Sequence, residues 1–88
     1  MNFETLLNFR LEKLSLIQYL ILIKLNDKRH YRSELARDLQ TDDPSTYRAA
    51  LVLVEKGLIE KRYAPKKEGK GIKRSLFVIT DLGRELFQ

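Results

Sequence analysis

Cysteine and tryptophan are absent from these 88 residues, and methionine and histidine occur once each. Without cysteine there is no disulfide and no thiolate metal site, and a single His30 builds no ligand cluster. One imidazole and scattered carboxylates also give no nucleophile and base to pair, so no catalytic group, metal or cofactor is expected. Long hydrophobic runs are missing too. The most apolar stretch, Leu14 to Leu25, is interrupted by Ser15, Gln18, Tyr19 and Lys24. It is too short to span a bilayer, and the N-terminus lacks the basic-then-apolar layout of a signal peptide. The expectation is a cytoplasmic protein that makes no membrane contact.

What is present suits one small globular domain. At 43% hydrophobic and 33% charged, the chain can bury enough apolar surface to offset its conformational entropy. The formal charge is +5, and its placement is more telling than its size. Glu60 to Arg74 holds seven Lys or Arg against two Glu, which alone gives +5; the remaining ten bases balance ten acids. A local basic field on a small domain points to an anionic partner, nucleic acid first and an acidic membrane surface second.

The segment Asn2 to Lys13 has Phe3, Leu6, Leu7, Arg10, Leu11 and Leu14 at helical spacings. Ser15 and Gln18 have the capping-box spacing, which predicts a fresh helix start at Ser15; a continuous bent helix is the alternative. Leu16 to Leu25 is apolar almost all round, so that helix buries more than one side. A domain this small cannot easily cover both surfaces, which predicts a homodimer joined through the N-terminal helices. Asn26 to His30 reads as a polar turn with His30 at the surface. Ser33 to Leu39 follows as a short helix, buried through Leu35, Ala36 and Leu39.

Pro44 to Lys56 reads as the functional helix. Asp43 is the expected N-cap, Pro44 takes the first helical position, and Gly57 supplies the stop. Projected at about 100° per residue, Tyr47, Ala50, Leu51 and Val54 form the inward stripe. Ser45, Ala49, Val52 and Lys56 lie opposite, with Thr46, Arg48 and Leu53 at the margins. An outward face that is small, polar and cationic fits a DNA major groove. The candidate DNA contacts on this helix are therefore Ser45, Thr46, Arg48, Ala49, Val52 and Lys56. After Gly57 the pattern turns to strands, Leu58 to Tyr63 and Ser75 to Thr80, around the Pro- and Gly-bearing turn of 64–73. The result is a two-stranded hairpin with a basic tip, whose Phe77 and Ile79 face the helices. Thr80 or Asp81 caps a last helix that packs through Leu82, Leu86 and Phe87, and Gly83 within it implies a close backbone approach.

In this order, SELARDL, DPSTYRAALVLVEKGLIEKR and GIKRSLFVITDLGRELF resemble the scaffold helix, the recognition helix with the first wing strand, and the second wing strand of winged helix-turn-helix proteins. The last segment is similar to the LT-x-x-G-R-x-L ending of MarR-like and PadR-like transcriptional regulators, and the chain also resembles compact archaeal and viral winged-helix regulators. The match runs from Ser15 to Phe87. It departs from MarR-like proteins in lacking their Asp-x-Arg wing signature, and from PadR-like proteins in having no long C-terminal helices after Gln88.

The resemblance implies an α+β, mainly α fold: 1–14 an N-terminal extension, 15–57 a helical core, 58–80 a two-stranded basic wing, and 81–88 a short C-terminal helix. It implies double-stranded DNA as partner and a homodimeric, sequence-specific transcriptional regulator as function. Wing contacts are then expected from Lys66, Lys67, Lys70, Lys73 and Arg74, and scaffold contacts from Tyr31, Arg32 and Ser33. No small-molecule ligand is indicated. The alternative is a winged-helix module for protein–protein interaction within a transcription or other nucleoprotein complex. RNA binding ranks lower, because stacking aromatics beside the wing are limited to Tyr63.

Overall fold

The computed structural model describes residues 3–64 and 74–87. Its elements run α1 (Phe3–Leu11), α2 (Leu16–Asp27), β1 (His30–Tyr31), α3 (Arg32–Asp38), α4 (Asp43–Glu55), β2 (Ile59–Ala64), β3 (Arg74–Ile79) and α5 (Asp81–Glu85). Helices α1 and α2 are separate. The backbone N–H of Ser15 donates to Gln18 Oε1 at 2.8 Å and that of Gln18 to Ser15 Oγ at 3.3 Å, so both halves of the capping box are made.

Three helices end in the same way. After α1 the N–H of Leu14 returns to Phe9 O and that of Lys13 to Arg10 O. The same pair of bonds joins Thr41 and Gln40 to Ala36 and Arg37, and Leu58 and Gly57 to Leu53 and Val54. This is the Schellman arrangement, in which one residue takes a left-handed backbone. Those residues are Lys13 (φ 57°), Gln40 (φ 54°) and Gly57 (φ 76°).

The sheet has three strands rather than two, in the order β1-β3-β2, all antiparallel. The added strand is only two residues long, with His30 opposite Phe77 and Tyr31 opposite Leu76. His30 is therefore buried and not at the surface as expected. Its Nδ1 lies 2.8 Å from Lys28 O; a carbonyl only accepts, so Nδ1 carries the proton in that contact. Strands β2 and β3 pair from Ile59 opposite Ile79 to Ala64 opposite Arg74.

One core joins every layer: Phe9 of α1, Ile21, Leu22 and Leu25 of α2, Leu35 of α3, Ala50 and Leu53 of α4, and Leu58, Ile59, Phe77 and Ile79 from the sheet side. Phe9 stacks on Tyr19 at 4.9 Å and meets Phe87 edge-on at 5.2 Å, so the aromatic pairing locks α1 to α2 and to the end of the chain. On the opposite side of α1, Phe3, Leu6, Leu7 and Leu11 are exposed among the described residues. Leu82 is exposed as well, which corrects its expected packing role, while Leu86 and Phe87 do lie against the core.

Two local features carry measurable consequences. Gly83 is buried where an added Cβ would lie 2.2 Å from Leu58 O and 2.8 Å from Ile79 Cγ1. Gly83→Ala is thus expected to destabilise by about 3 kcal/mol, as overpacking against backbone does; an unchanged urea midpoint would contradict this contact. The second concerns the start of α4, where Asp42, not Asp43, is the N-cap. Asp42 has extended backbone, and its Oδ2 accepts the Ser45 N–H at 2.8 Å. That bond holds the Asp42 carboxyl below the usual carboxylate range. A depressed folded value means the contribution is present above the unfolded pKa and is lost as pH falls through the folded one. Asp42→Ala should therefore melt below wild type at neutral pH, with the difference closing as thermal scans are taken below about pH 4.

Candidate nucleic-acid interface

Helix α4 buries Thr46, Ala50 and Leu53, a stripe rotated from the expected one of Tyr47, Ala50, Leu51 and Val54. The rotation removes Thr46 from the outward set. Its methyl is in the core and its hydroxyl donates to Asp42 O at 3.0 Å, so a polar residue type is satisfied within its own helix. Ser45 and Ala49 are half-buried, and Ala49 packs partly on the core. Arg48 and Val52 are exposed, with Arg48 Nη2 3.4 Å from Ser45 Oγ.

Lys56 is exposed one turn beyond Val52, at the C-cap of the helix. Its Nζ donates to Glu12 O at 3.2 Å, next to the α1–α2 junction. From Ser45 to Lys56 is about 16 Å along the axis at the usual helical rise. The outward side of α4 therefore runs from Ser45 and Arg48 near its N-terminal end to Val52 and Lys56 at the far end.

The N-terminal end of α4 borders a second group of expected residues. The pairing of β1 with β3 sets Tyr31 beside Leu76 and carries Arg32 and Ser33 to the same side as Arg74. Tyr31, Arg32, Ser33, Ala36, Asp43, Arg74 and Ser75 line one recess of about 560 Å³. The Arg74 guanidinium lies over the Tyr31 ring, 3.8 Å from its centroid. The Arg32 guanidinium lies 4.2 Å from the Tyr47 centroid, and its Nε donates to Asp43 Oδ2 at 2.7 Å, with Nη2 bonded to the same oxygen. This bond to Asp43 raises Arg32 further above its ordinary pKa, against the opposing pull of desolvation.

Sequence reasoning missed Tyr47 and Lys61 as part of this surface. Lys61 Nζ donates to Tyr47 OH at 2.8 Å and sits 5.2 and 5.1 Å from the Tyr47 and Tyr63 ring centroids. Hydrogen bonding to Tyr47, then to Tyr63, raises the Lys61 pKa. Tyr47 thus meets two cations, Arg32 of the scaffold helix over its ring and Lys61 of the sheet at its hydroxyl. Each such contact is worth about 0.5–1 kcal/mol at an exposed site, and together they orient charges that would otherwise sweep through solvent. No spacing rule brings residues 32, 47 and 61 together; only the fold does.

The expected wing contacts Lys66, Lys67, Lys70 and Lys73 lie outside the described residues. Arg62, nearby in β2, is paired with Glu60 at 2.9 Å. Among the described residues no group of His, Cys, Asp or Glu is arranged to hold a metal ion, and no helix is long and apolar enough to cross a membrane.

No family model matches the sequence, and no curated relative matches it. Solved structures do. The YusO protein of Bacillus subtilis superposes with a TM-score of 0.77 at 21% identity, over 96% of this chain and 57% of that one. PadR of Bacillus subtilis, solved in complex with operator DNA, gives 0.73 at 16% identity, over 81% of this chain and 44% of that one. The adhesin competence repressor AdcR of Streptococcus pyogenes gives 0.72 at 22% identity, over 92% and 57%. The chain spans about half the length of these three structures. With five helices and a three-stranded antiparallel sheet among the described residues, and with these neighbours, the chain has the winged helix-turn-helix fold, shared with PadR-like and MarR-like transcription regulators.

Proposed function

We propose that this protein is a homodimeric, sequence-specific double-stranded DNA binder that regulates transcription. The N-terminal part of α4 would enter the major groove, and Arg74 with the basic 64–73 segment would meet phosphate or minor groove. The observation that carries this reading is the junction at the start of α4. There Arg48 is exposed in the second turn of a helix whose first residue, Asp43, lines a recess with two arginines held on aromatic rings. The shared fold of PadR, solved in complex with operator DNA, supports DNA as the partner.

In this arrangement Arg48 is the base reader and Ser45 a base or phosphate contact. Ala49 and Val52 face thymine methyls, while Tyr31, Arg32, Ser33 and Lys56 contact the backbone. Anisotropy titrations of duplex across a salt series should show steep weakening with salt. Arg48→Ala should lose about 1–3 kcal/mol at particular base pairs, whereas Lys66→Ala with Lys67→Ala should lower affinity alike for all sequences. Absence of duplex binding at low salt would defeat the proposal.

The dimer part rests on α1. Phe3 is 75% exposed, Leu11 71% and, at the start of α2, Leu16 70%. Leaving such side chains in water forgoes about 1.5–3 kcal/mol each, and a symmetry mate would recover that. Recognition helices two-fold related would then read half-sites about 34 Å apart. Leu11→Glu, at a position with little to lose in the monomer, should sediment as a monomer and bind duplex more weakly. A wild type that sediments as a monomer at the concentrations where it binds would remove the dimer and leave the DNA reading intact.

A further inference from the structure

The Arg32 guanidinium is engaged on two sides in a recess otherwise suited to an anion. One face lies on Tyr47, and one edge gives two hydrogen bonds to Asp43. Both bonds end on Oδ2, so Asp43 Oδ1 and the Arg32 Nη1 group lie outside that pairing. The two side chains are 38% and 40% exposed, so solvent and solutes reach the contact. Around it the recess presents the Arg74 guanidinium and the hydroxyl-bearing Ser33 and Ser75. Asp43 is the single acid among the lining residues. It is not the cap of α4 either, since Asp42 has that role.

We propose that the Asp43 carboxylate is a built-in stand-in for a DNA backbone phosphate. In the free protein it holds Arg32 in place on Tyr47; when duplex binds, a phosphate oxygen takes over the guanidinium edge that Asp43 releases. This rests on the DNA-binding reading above and adds a competitor to it. A guanidinium offers five donors in a fixed fork that suits carboxylate and phosphate alike. The two anions therefore contend for one edge, and the phosphate contact made by Arg32 is an exchange of partners rather than the capture of a free cation. Asp43 sets how tightly any duplex is held, without reading a base.

The test is a double-mutant cycle on Arg32 and Asp43, read by duplex anisotropy across a salt series, with thermal melting of each variant to verify folding. Asp43→Asn is expected to bind every duplex more tightly than wild type, with a steeper salt dependence. Without the carboxylate, the Arg32 charge facing the phosphate is no longer offset; one more such charge changes the slope by about 0.9, so the advantage should widen roughly threefold between about 200 and about 50 mM salt. Arg32→Ala should cost little in wild type but abolish the gain in the Asp43→Asn background. Asp43→Ser, suited to a first helical turn, gives the same reading if the asparagine variant folds poorly.

A gain that persists without Arg32 reduces to a change in net charge and overturns the exchange. So does Asp43→Asn binding no tighter than wild type. In both cases wild type still binds duplex and the DNA reading stands. Duplex bound by none of the variants overturns the exchange and the DNA reading together.

Discussion

The corner where α4 gives way to the sheet fixes the relation between the two parts of the molecule that face outward. Gly57 turns the chain in a left-handed conformation, and Leu58 follows it into the core. Thr80, at the far end of β3, closes the corner with one hydroxyl that donates to Gly57 O at 2.7 Å and accepts the Gly83 N–H at 3.1 Å. The backbone N–H of Thr80 also reaches Leu58 O, the atom against which Gly83 is packed. Four backbone groups near the surface are thereby satisfied at once, and buried polar groups tolerate little else. Because β2 starts at this corner and β3 ends there, the hairpin cannot swing about α4 without breaking them together.

At the opposite end of α4 the constraint is electrostatic. Two consecutive acids stand where a nucleic-acid binder has least use for negative charge, and each has a separate task. Asp42 accepts an otherwise unpaired N–H of the first turn, while Asp43 ties α4 to α3 through Arg32. An ion pair this exposed contributes about 0–1 kcal/mol at most. Its effect is geometric, since together with Tyr47 it selects one position for a long flexible side chain. Tyr47 in turn passes that constraint to the sheet through Lys61. Helix, scaffold and hairpin are coupled at this end by weak contacts, whereas the corner at Gly57 couples them by strong ones.

Much of this fold was legible because its signals are local. The capping box at Ser15, Pro44 after an aspartate, Gly57 as a stop and the β-branched and aromatic run from Ser75 to Thr80 each depend on a few neighbouring residues. Gly83 was legible as a close approach because nothing else accounts for glycine inside a helix. What escaped depends on atoms distant in sequence or on choices that residue type leaves open. A lysine and a glutamine occupy the left-handed turns at residues 13 and 40, where glycine would have been visible. Which of two adjacent aspartates caps α4 is settled by one backbone angle. Strand β1 is too short to have a period, so His30 was assigned to the surface when its partner, Phe77, lies 47 positions away. Thr46 was misassigned because a hydroxyl that bonds its own helix leaves a methyl as good as alanine for burial.

The surroundings of the two ends of α4 bear on how two copies would act. Its C-terminal end, at Lys56, touches the α1–α2 junction; its N-terminal end borders the recess of Arg32 and Arg74. The exposed apolar side belongs to α1 and the start of α2, at the first of these ends. Two copies joined there would direct the N-terminal ends of α4 away from each other. The distance between them would be set by rigid helices packed through Phe9, Tyr19 and Phe87 rather than by a linker. Half-site spacing would then be a property of the core. In the proposed dimer, repacking at Phe9 would therefore alter that spacing without changing a residue of α4.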